Sequence, residues 1–287
     1  MATVDVPEPL DSLTARWDTI PVTFERGKTP LNWTALLGTG LADSAGPQRL
    51  SLHGRRPGGS EFESEQVIDI AAVRFPSSRL KVAPGFVEQD SQVVRRIRRE
   101  RALKDSVFAA GDGRPAASGR SLPPVPGRTS ERYGTQRVFN GEKQSVHEGL
   151  DFRAPPGTRV HALQPGRVAL ARRLFFEGNC VFLDHGDGLF TLYMHFSKIM
   201  VREGERVKAG DVLGRSGATG RVTGPHLHLG VRWKGIPVDP ASLILLRLPA
   251  RGPWESLRLA PRKREAKVGA GVRSLSRHLR HARLKRI

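Results

Sequence analysis

The sequence predicts a mainly β protein with a small N-terminal all-β domain, a helical linker, a C-terminal antiparallel β-sheet domain and a basic tail. Three observations predict this organisation. The 287 residues include 31 Gly and 21 Pro, which favour many turns over long helices. Short apolar runs alternate with Gly-containing turns in two separate stretches, as they do in antiparallel sheets. Residues 89–104 lack Gly and Pro and space their apolar side chains like one face of a helix.

The N-terminal all-β domain is predicted over residues 20–87. Strand-like pieces such as Arg49–His53, Val67–Ile70 and Arg79–Val82 alternate with turn signals, for example Gly54–Gly59. Residues 1–18 are polar and hold no clear pattern. Nothing in this domain suggests a catalytic residue, and so the function must lie further along the chain.

The linker is predicted over residues 88–132 and begins with the helix, for which Asp90 or Ser91 is the expected N-cap. The many arginines of the helix could bind phosphates, but we interpret them as a solvated face. Residues 110–129 contain four Pro and four Gly and few apolar residues. That composition predicts a flexible connector.

The second β domain is predicted over residues 133–246. Apolar runs such as Asn179–Leu183, Leu189–Tyr193 and His226–Val231 recur between Gly-containing turns, which indicates a compact antiparallel domain. The chain has one cysteine, Cys180, so an internal disulfide and a Cys₄ or Cys₂His₂ zinc site are excluded. We expect Cys180 to be a small buried core residue.

The basic tail is predicted over residues 247–287. Arg251–Ile287 contain twelve Lys/Arg and two Asp/Glu, a local charge of 12 − 2 = +10 out of the net +19. Such a tail attracts anionic wall polymers, membrane surfaces or nucleic acid, and a solvated disordered end explains it equally well. The sequence has no run of 18 or more apolar residues, so we expect no membrane-spanning helix. Met1–Glu8 lack the features of a signal peptide, so either the chain stays inside or its true start lies upstream.

Two histidines in the second β domain alternate along one predicted strand. Six of the nine histidines lie between residues 147 and 228. In His226-Leu227-His228 both imidazoles point to the same face of the strand, because side chains alternate. They suit a metal site, or one ligand beside one acid–base group. Two ordinary surface histidines are the alternative reading.

Two further motifs carry chemistry. His147 and Asp151 lie four residues apart with a Gly between them and could converge on one ion if the chain bends; imidazole and carboxylate are ordinary zinc ligands. Glu148 is a rival carboxylate, which faces away from Asp151 if the segment is extended. His195 directly follows an apolar run. It could carry chemistry, or it could be a structural histidine at a strand end that packs against Tyr193.

Taken together, the motifs resemble the lysostaphin-type (LytM-type) zinc metallopeptidases. The motifs are His147-x-x-x-Asp151, Tyr193-x-His195 and Gly224-Pro-His-Leu-His228, set among Ala154–Thr158, Asp184–Gly188, Gly214–Gly220 and Val238–Pro240. The resemblance implies that His147, Asp151 and His228 hold one Zn²⁺ per chain. It also implies that His195 and His226 are the catalytic histidines, without dividing the acid–base work between them.

The resemblance implies a metalloendopeptidase of the cell envelope that hydrolyses peptidoglycan stem or cross-bridge peptides, with a zinc-activated water as the nucleophile. A different class is a non-catalytic wall-binding or hydrolase-regulating LytM-type protein, since some relatives have lost ligands. All five expected positions are filled here, which favours the enzyme. A third class, a nucleic-acid binder acting through the tail, is supported by no motif, and we expect no specific nucleic acid partner.

Overall fold

The chain folds into two compact units. The computed structural model describes residues 1–27, 29–86, 89–111, 113, 117–141 and 143–248. The N-terminal unit comprises Met1–Leu37 and Gly46–Ile70, and the C-terminal unit comprises Gly38–Ala45 and Ala71–Leu248. Nearly all of the predicted basic tail lies outside the described residues, so its expected partners stay predictions.

The N-terminal unit consists of two small antiparallel sheets. Its strands are β1 (Ala2–Asp5), β2 (Ser12–Trp17), β3 (Ile20–Thr23), β4 (Glu25–Arg26), β5 (Asn32–Ala35), β6 (Gly46–Arg55) and β7 (Glu61–Ile70). The strand orders are β3-β2-β6-β7 and β1-β5-β4. Along β2, Leu13, Ala15 and Trp17 are buried while their neighbours face solvent.

Two of these strands lie in residues 1–18, where the sequence showed no clear pattern. Strand β1 has four residues, too few for alternation to be distinctive, and β2 places a small Ala15 at the centre of its buried face. The N-terminal unit therefore includes residues outside the 20–87 domain that the sequence predicted.

The C-terminal unit is built around one large sheet. Its strands are β8 (Ser77–Leu80), β9 (Gly119–Arg120), β10 (Thr129–Glu131), β11 (Gln136–Phe139), β12 (Lys143–Val146), β13 (Leu150–Arg153), β14 (Arg159–His161), β15 (Gly166–Leu174), β16 (Gly178–Asp184), β17 (Leu189–Ile199), β18 (Arg206–Val207), β19 (Val212–Ser216), β20 (His226–Trp233), β21 (Ile236–Val238) and β22 (Arg247–Leu248). Its helices are α1 (Ser91–Ala109) and α2 (Pro240–Leu245), with a 3₁₀ turn at Pro84–Phe86.

The central path of the large sheet is β10-β13-β20-β17-β16-β15-β18, and β14, β19 and β21 pair beside it. A small sheet has the order β12-β11-β8. Strand β8 lies parallel to β11, with Leu80 opposite Phe139. The Arg79–Val82 piece, which the sequence analysis assigned to the N-terminal domain, therefore starts in a strand of the C-terminal unit.

The middle of the large sheet is buried on both faces. One face carries the cluster Leu170, Leu174, Cys180, Phe182, Phe190 and Leu192, against which Leu103, Val107 and Phe108 of α1 pack. Cys180 is fully buried there, as predicted. Because both faces are covered, β16 and β17 form a rigid base for any residue at their ends.

Helix α1 confirms the predicted helix and its cap. Asp90 Oδ1 accepts hydrogen bonds from the backbone N–H groups of Gln92 and Val93, both at 2.8 Å. The helix continues five residues beyond 104, because Val107 and Phe108 extend its apolar face onto the sheet.

Part of the predicted flexible connector is instead built into the C-terminal unit. Residues 129–131 form β10 beside β13, and Val125 is buried. The backbone N–H of Arg153 donates to the Arg128 carbonyl at 2.9 Å. A Cβ at Gly127 would lie 1.7 Å from the Arg153 carbonyl oxygen, so this strap needs glycine. Composition missed the strap because it docks mainly through its backbone.

The mainly β fold class, with a small N-terminal β unit, a helix and an antiparallel C-terminal sheet, is confirmed. None of the helices in the described ranges is long and apolar enough to span a bilayer.

Candidate metal centre

Two neighbouring strands place an aspartate and two histidines on one face of the large sheet. Strands β13 and β20 pair antiparallel, with Asp151 directly opposite His228 and Arg153 opposite His226. Directly opposed residues share a face, and residues two apart on one strand do so too. Leu227 lies between the two histidines and is fully buried on the other face. The predicted alternation of His226 and His228 is therefore confirmed.

His147 enters the same site from the segment before β13. Its side chain is 1% exposed. Its Nδ1 lies 2.9 Å from the Arg132 carbonyl oxygen. That carbonyl can only accept, so Nδ1 carries the proton and Nε2 presents a lone pair to the site. A hydrogen bond of this kind fixes the ring of metal-binding histidines.

Three donor atoms converge at the centre of the site. His147 Nε2 lies 3.1 Å from Asp151 Oδ1 and 3.0 Å from His228 Nδ1, and the last two atoms are 2.8 Å apart. Ligands of a tetrahedral zinc lie about 3.3 Å apart, since each is 2.0–2.1 Å from the metal. The lone pair of His147 Nε2 also points at Oδ1 of Asp151, and a positive ion between these two atoms would offset their repulsion. This trio could hold a metal ion.

The protonation states suit metal binding. Burial alone would raise the pKa of Asp151, but its contacts with His147 and His228 outweigh burial and hold the pKa well below its ordinary value. Burial lowers the pKa of His228 against the opposing effect of Asp151. An ionised carboxylate and a neutral imidazole are the forms that bind metals.

Gly149 leaves the space that the His228 ring occupies. A Cβ at this position would lie 2.3 Å from His228 Cε1, 2.4 Å from Nε2 and 2.7 Å from the Leu229 carbonyl oxygen. The glycine between His147 and Asp151 therefore allows close approach of β20, in addition to any bend of its own segment.

His195 reaches the site through a bulge in β17. The pairing with β16 shifts here, so that Met194 and His195 together face Cys180. His195 has φ 67°, which is uncommon for a residue with a side chain. Bulges beside active sites re-aim side chains in this way. The His195 backbone N–H donates to the Glu177 carbonyl at 2.9 Å, and its Nδ1–H donates to the Thr219 carbonyl at 2.8 Å.

His195 and His226 lie together beside the trio. Their ring centres are 4.8 Å apart, and the rings of His195 and His228 are 6.0 Å apart. His226 Nε2 is 3.8 Å from Asp151 Oδ1 while its Nδ1–H donates to the Gly224 carbonyl at 2.8 Å. Burial, then the neighbouring His226 and His228, lower the pKa of His195 to about 3, so it is neutral at physiological pH.

A second layer of charge, which the sequence analysis missed, orients the aspartate. The Arg137 guanidinium donates to Asp151 Oδ2 at 2.7 Å, and its Nε donates to Glu131 at 2.6 Å. This leaves Oδ1 of Asp151 for the trio. No local pattern links Arg137 to Asp151, because Arg137 lies on β11 of the small sheet and Asp151 on β13 of the large sheet.

The other candidate residues lie elsewhere. Glu148 is exposed and its carboxylate is 3.6 Å from Arg232, so it is not part of the trio. His185 lies in the turn between β16 and β17, and its ring is fully buried. His161 donates from Nδ1 to the Gly210 carbonyl at 2.8 Å, so its ring is tied to the fold away from the trio.

A mainly β unit with a His-Asp-His trio that could hold a metal ion, beside two further histidines, is the arrangement that a metal-dependent hydrolase would use. Residues 145–240 match the model of Peptidase family M23. A structure from Pseudomonas aeruginosa described as a peptidase M23 is 31% identical, covers 84% of this chain and 92% of its own, and has a TM-score of 0.64. The chain belongs to peptidase family M23, which confirms the recognition drawn from the motifs.

Curated relatives match over a shorter part of the chain. Peptidoglycan DD-endopeptidase ShyA of Vibrio cholerae is 41% identical over 113 residues, 39% of this chain and 26% of that protein. DD-carboxypeptidase/endopeptidase Mpg of Neisseria meningitidis is 44% identical over 100 residues, 35% of this chain and 23% of that protein. The matches thus span about a quarter of each of these relatives.

Proposed function

We propose that this chain is a zinc-dependent endopeptidase that hydrolyses peptide bonds of bacterial peptidoglycan in the cell envelope. The observation that carries the proposal is the convergence of His147 Nε2, Asp151 Oδ1 and His228 Nδ1 next to two further histidines. The peptidoglycan substrate is supported by the names of the curated relatives.

The trio would hold one zinc ion. Three protein ligands leave a coordination position open, which is the pattern of catalytic rather than structural zinc. When bound, zinc polarises a carbonyl and lowers the pKa of a water ligand to about 7, which supplies the nucleophile of an amide hydrolysis. Arg137 keeps Asp151 in the orientation that this ligand set needs.

His195 and His226 would handle protons and developing charge. Each ring donates from Nδ1 to a backbone carbonyl, of Thr219 and of Gly224 respectively, so each Nε2 is free for the substrate. A neutral Nε2 accepts a proton from the attacking water, and its protonated form returns the proton to the leaving amine. We assign this work to the pair, with the second ring stabilising the oxyanion.

A groove runs beside the trio and could take an extended peptide. The cavity has a volume of about 420 Å³, and its walls include His147, His195 and His228 together with Phe108 of α1 and Phe176. The backbone of the sheet and the packed helix fix these walls, so the groove is formed before substrate binds.

The test is digestion of purified cross-linked muropeptides, with products identified by mass. We expect cleavage by the protein as purified, loss of cleavage with a chelator, and recovery on adding zinc. His228→Ala should lose both zinc and activity, whereas His53→Ala, an exposed histidine of the N-terminal unit, should lose neither. Unchanged zinc content and activity in His228→Ala would overturn the proposal.

The zinc-free His228→Ala variant, tested in cells, separates the enzyme from a non-catalytic regulator of wall hydrolysis. A zinc-free variant that kept its full biological effect in cells would favour the regulator. The complete ligand set favours the enzyme, because binding alone does not need an open metal position.

A further inference from the structure

The groove beside the trio is lined by four cations, and three of them have a carboxylate partner. The four are Lys104, Arg137, Arg221 and Arg232. Lys104 pairs with Glu177, Arg137 pairs with Glu131 and Asp151, and Arg232 lies 3.6 Å from Glu148. These three charges are already compensated within the fold.

Arg221 differs from the other three. In the described part of the chain, no carboxylate lies within ion-pairing distance of its guanidinium. Two aromatic rings hold the group instead: its central carbon is 4.6 Å from the centre of the Phe139 ring and 4.5 Å from that of Phe176. The backbone N–H of Arg221 also donates to the Phe176 carbonyl at 2.9 Å. The rings position the cation without using its hydrogen-bond donors.

The surroundings of Arg221 leave its charge incompletely balanced. Burial, and then the like charge of Arg137, lower the pKa of Arg221, with Glu177 acting in the opposite direction. An arginine side chain stays protonated in proteins, so Arg221 keeps its charge despite burial. A bound anion would stabilise that charge. Glu177 is committed to Lys104.

Arg221 also lies where a substrate would pass. It lines the groove of about 420 Å³ and a second cavity of about 340 Å³, and His195 lines both. The second cavity also reaches Asp151 and His226. An anion held by Arg221 is therefore close to the reacting bond rather than at the far end of the peptide.

We propose that Arg221 binds a substrate carboxylate close to the scissile amide, so that the enzyme prefers peptides that carry this free carboxylate. The inference rests on the proposed function and names its substrate class. A guanidinium matches a carboxylate with two parallel hydrogen bonds, and its clamp between two rings reduces the entropy lost on binding. The bound carboxylate would fix the position of the neighbouring amide relative to His195.

The test compares two muropeptide dimers, one with the carboxylate next to the scissile amide free and one with it converted to a carboxamide. We expect wild-type protein to cleave the free acid with a kcat/KM about ten- to a hundredfold higher, the range for a hydrogen-bonded charge. Arg221→Gln should lower kcat/KM for the acid to that of the amide while leaving the amide almost unchanged. Arg221→Lys should recover part of the preference. Arg202→Gln, an exposed arginine, is the charge-matched control.

The outcomes are distinguishable. Equal cleavage of both dimers by wild-type protein would overturn the carboxylate subsite and leave the proposed function standing. An equal fall for both dimers in Arg221→Gln would assign Arg221 to holding its loop, and would also overturn the subsite. Cleavage of neither dimer by zinc-loaded wild type would contradict the proposed function and, with it, the subsite.

Discussion

Two buried polar clusters that contain histidine lie in the same unit, and they are built on opposite principles. At His185 every polar atom has a partner that completes it. Nδ1 lies 2.7 Å from the Pro165 carbonyl and Nε2 2.7 Å from Thr191 Oγ1, which is 3.2 Å from the Tyr193 hydroxyl. The Leu163 N–H donates to that hydroxyl at 2.8 Å. This is a closed network that needs one neutral imidazole.

At the trio, the atoms that could bind a metal instead face one another. Nδ1 of His147 is satisfied by a carbonyl, but Nε2 meets Asp151 Oδ1 and His228 Nδ1 within 3.1 Å. Such an arrangement is completed by a cation and not by another side chain. Burial of a histidine therefore does not by itself separate structure from function; the direction of its lone pairs does.

The largest expected effect comes from substituting a residue of the trio, which tests directly whether the two clusters differ in function. His147→Ala removes one donor, and we expect zinc content close to zero and hydrolysis reduced by about a thousandfold or more, because several kcal/mol of metal stabilisation is lost. His185→Ala should keep its zinc and its activity per folded molecule while unfolding more easily. Loss of zinc in His185→Ala at a pH where it stays folded would remove the distinction.

The pH dependence of unfolding tests the closed network around His185. Burial lowers the pKa of His185 to about 4 from an ordinary 6.5. Between these values the unfolded chain binds a proton that the folded protein excludes, so the free energy of unfolding falls as pH drops from 6.5 to 4. The expected loss is about 3 kcal/mol, and it is absent above pH 6.5.

Denaturant unfolding of wild type and His185→Asn, with chelator present throughout, measures this loss. The variant starts less stable but should lack this part of the pH dependence. Parallel curves for the two proteins between pH 6.5 and 4 would contradict the role of His185.

A side chain added at Gly149, next to the His228 ring, should have an intermediate effect on zinc binding. Gly149→Ala places a methyl group against the His228 ring, and we expect zinc affinity to fall about ten- to a hundredfold, as when the support of a metal ligand is disturbed. Gly85→Ala meets nothing within 4 Å and is the matched control. Competition with a coloured chelator measures both, and equal affinities would show that His228 can move without cost.

The smallest effect is expected from one hydroxyl of the closed network. Thr191→Val leaves His185 Nε2 and the Tyr193 hydroxyl without this partner, at a cost of about 1–2 kcal/mol in the free energy of unfolding. Zinc content should not change. Thr14→Val removes an exposed hydroxyl that donates to the His53 backbone carbonyl at 3.4 Å, and it should cost almost nothing. A similar cost for both variants would argue against a cooperative network.

Local alternation predicted part of the site, and the family resemblance predicted its members. The shared face of His226 and His228 follows from two-residue spacing on β20. The same rule would put His195 on the face of Tyr193, which is buried with Thr191 in the closed network. The bulge overrides it, and a bulge leaves no clear trace in a single sequence.

Contacts between distant segments could not be predicted from the sequence. Arg137 meets Asp151, and Arg221 meets Phe139 and Phe176, only once the chain has folded, because the residues of each contact belong to different strands or turns. The helix was predictable because its cap and apolar spacing are local, whereas the Gly127 strap was misread because its fit depends on the backbone of β13.

That strap also determines where the peptidase unit can be cut. Strand β10 pairs with β13, and β13 carries Asp151. A fragment that begins at the predicted limit, residue 133, would lack both the Gly127 strap and β10. One edge of β13 would then be unpaired, which invites pairing with a second molecule and aggregation. A fragment that begins before Gly119 keeps this edge covered.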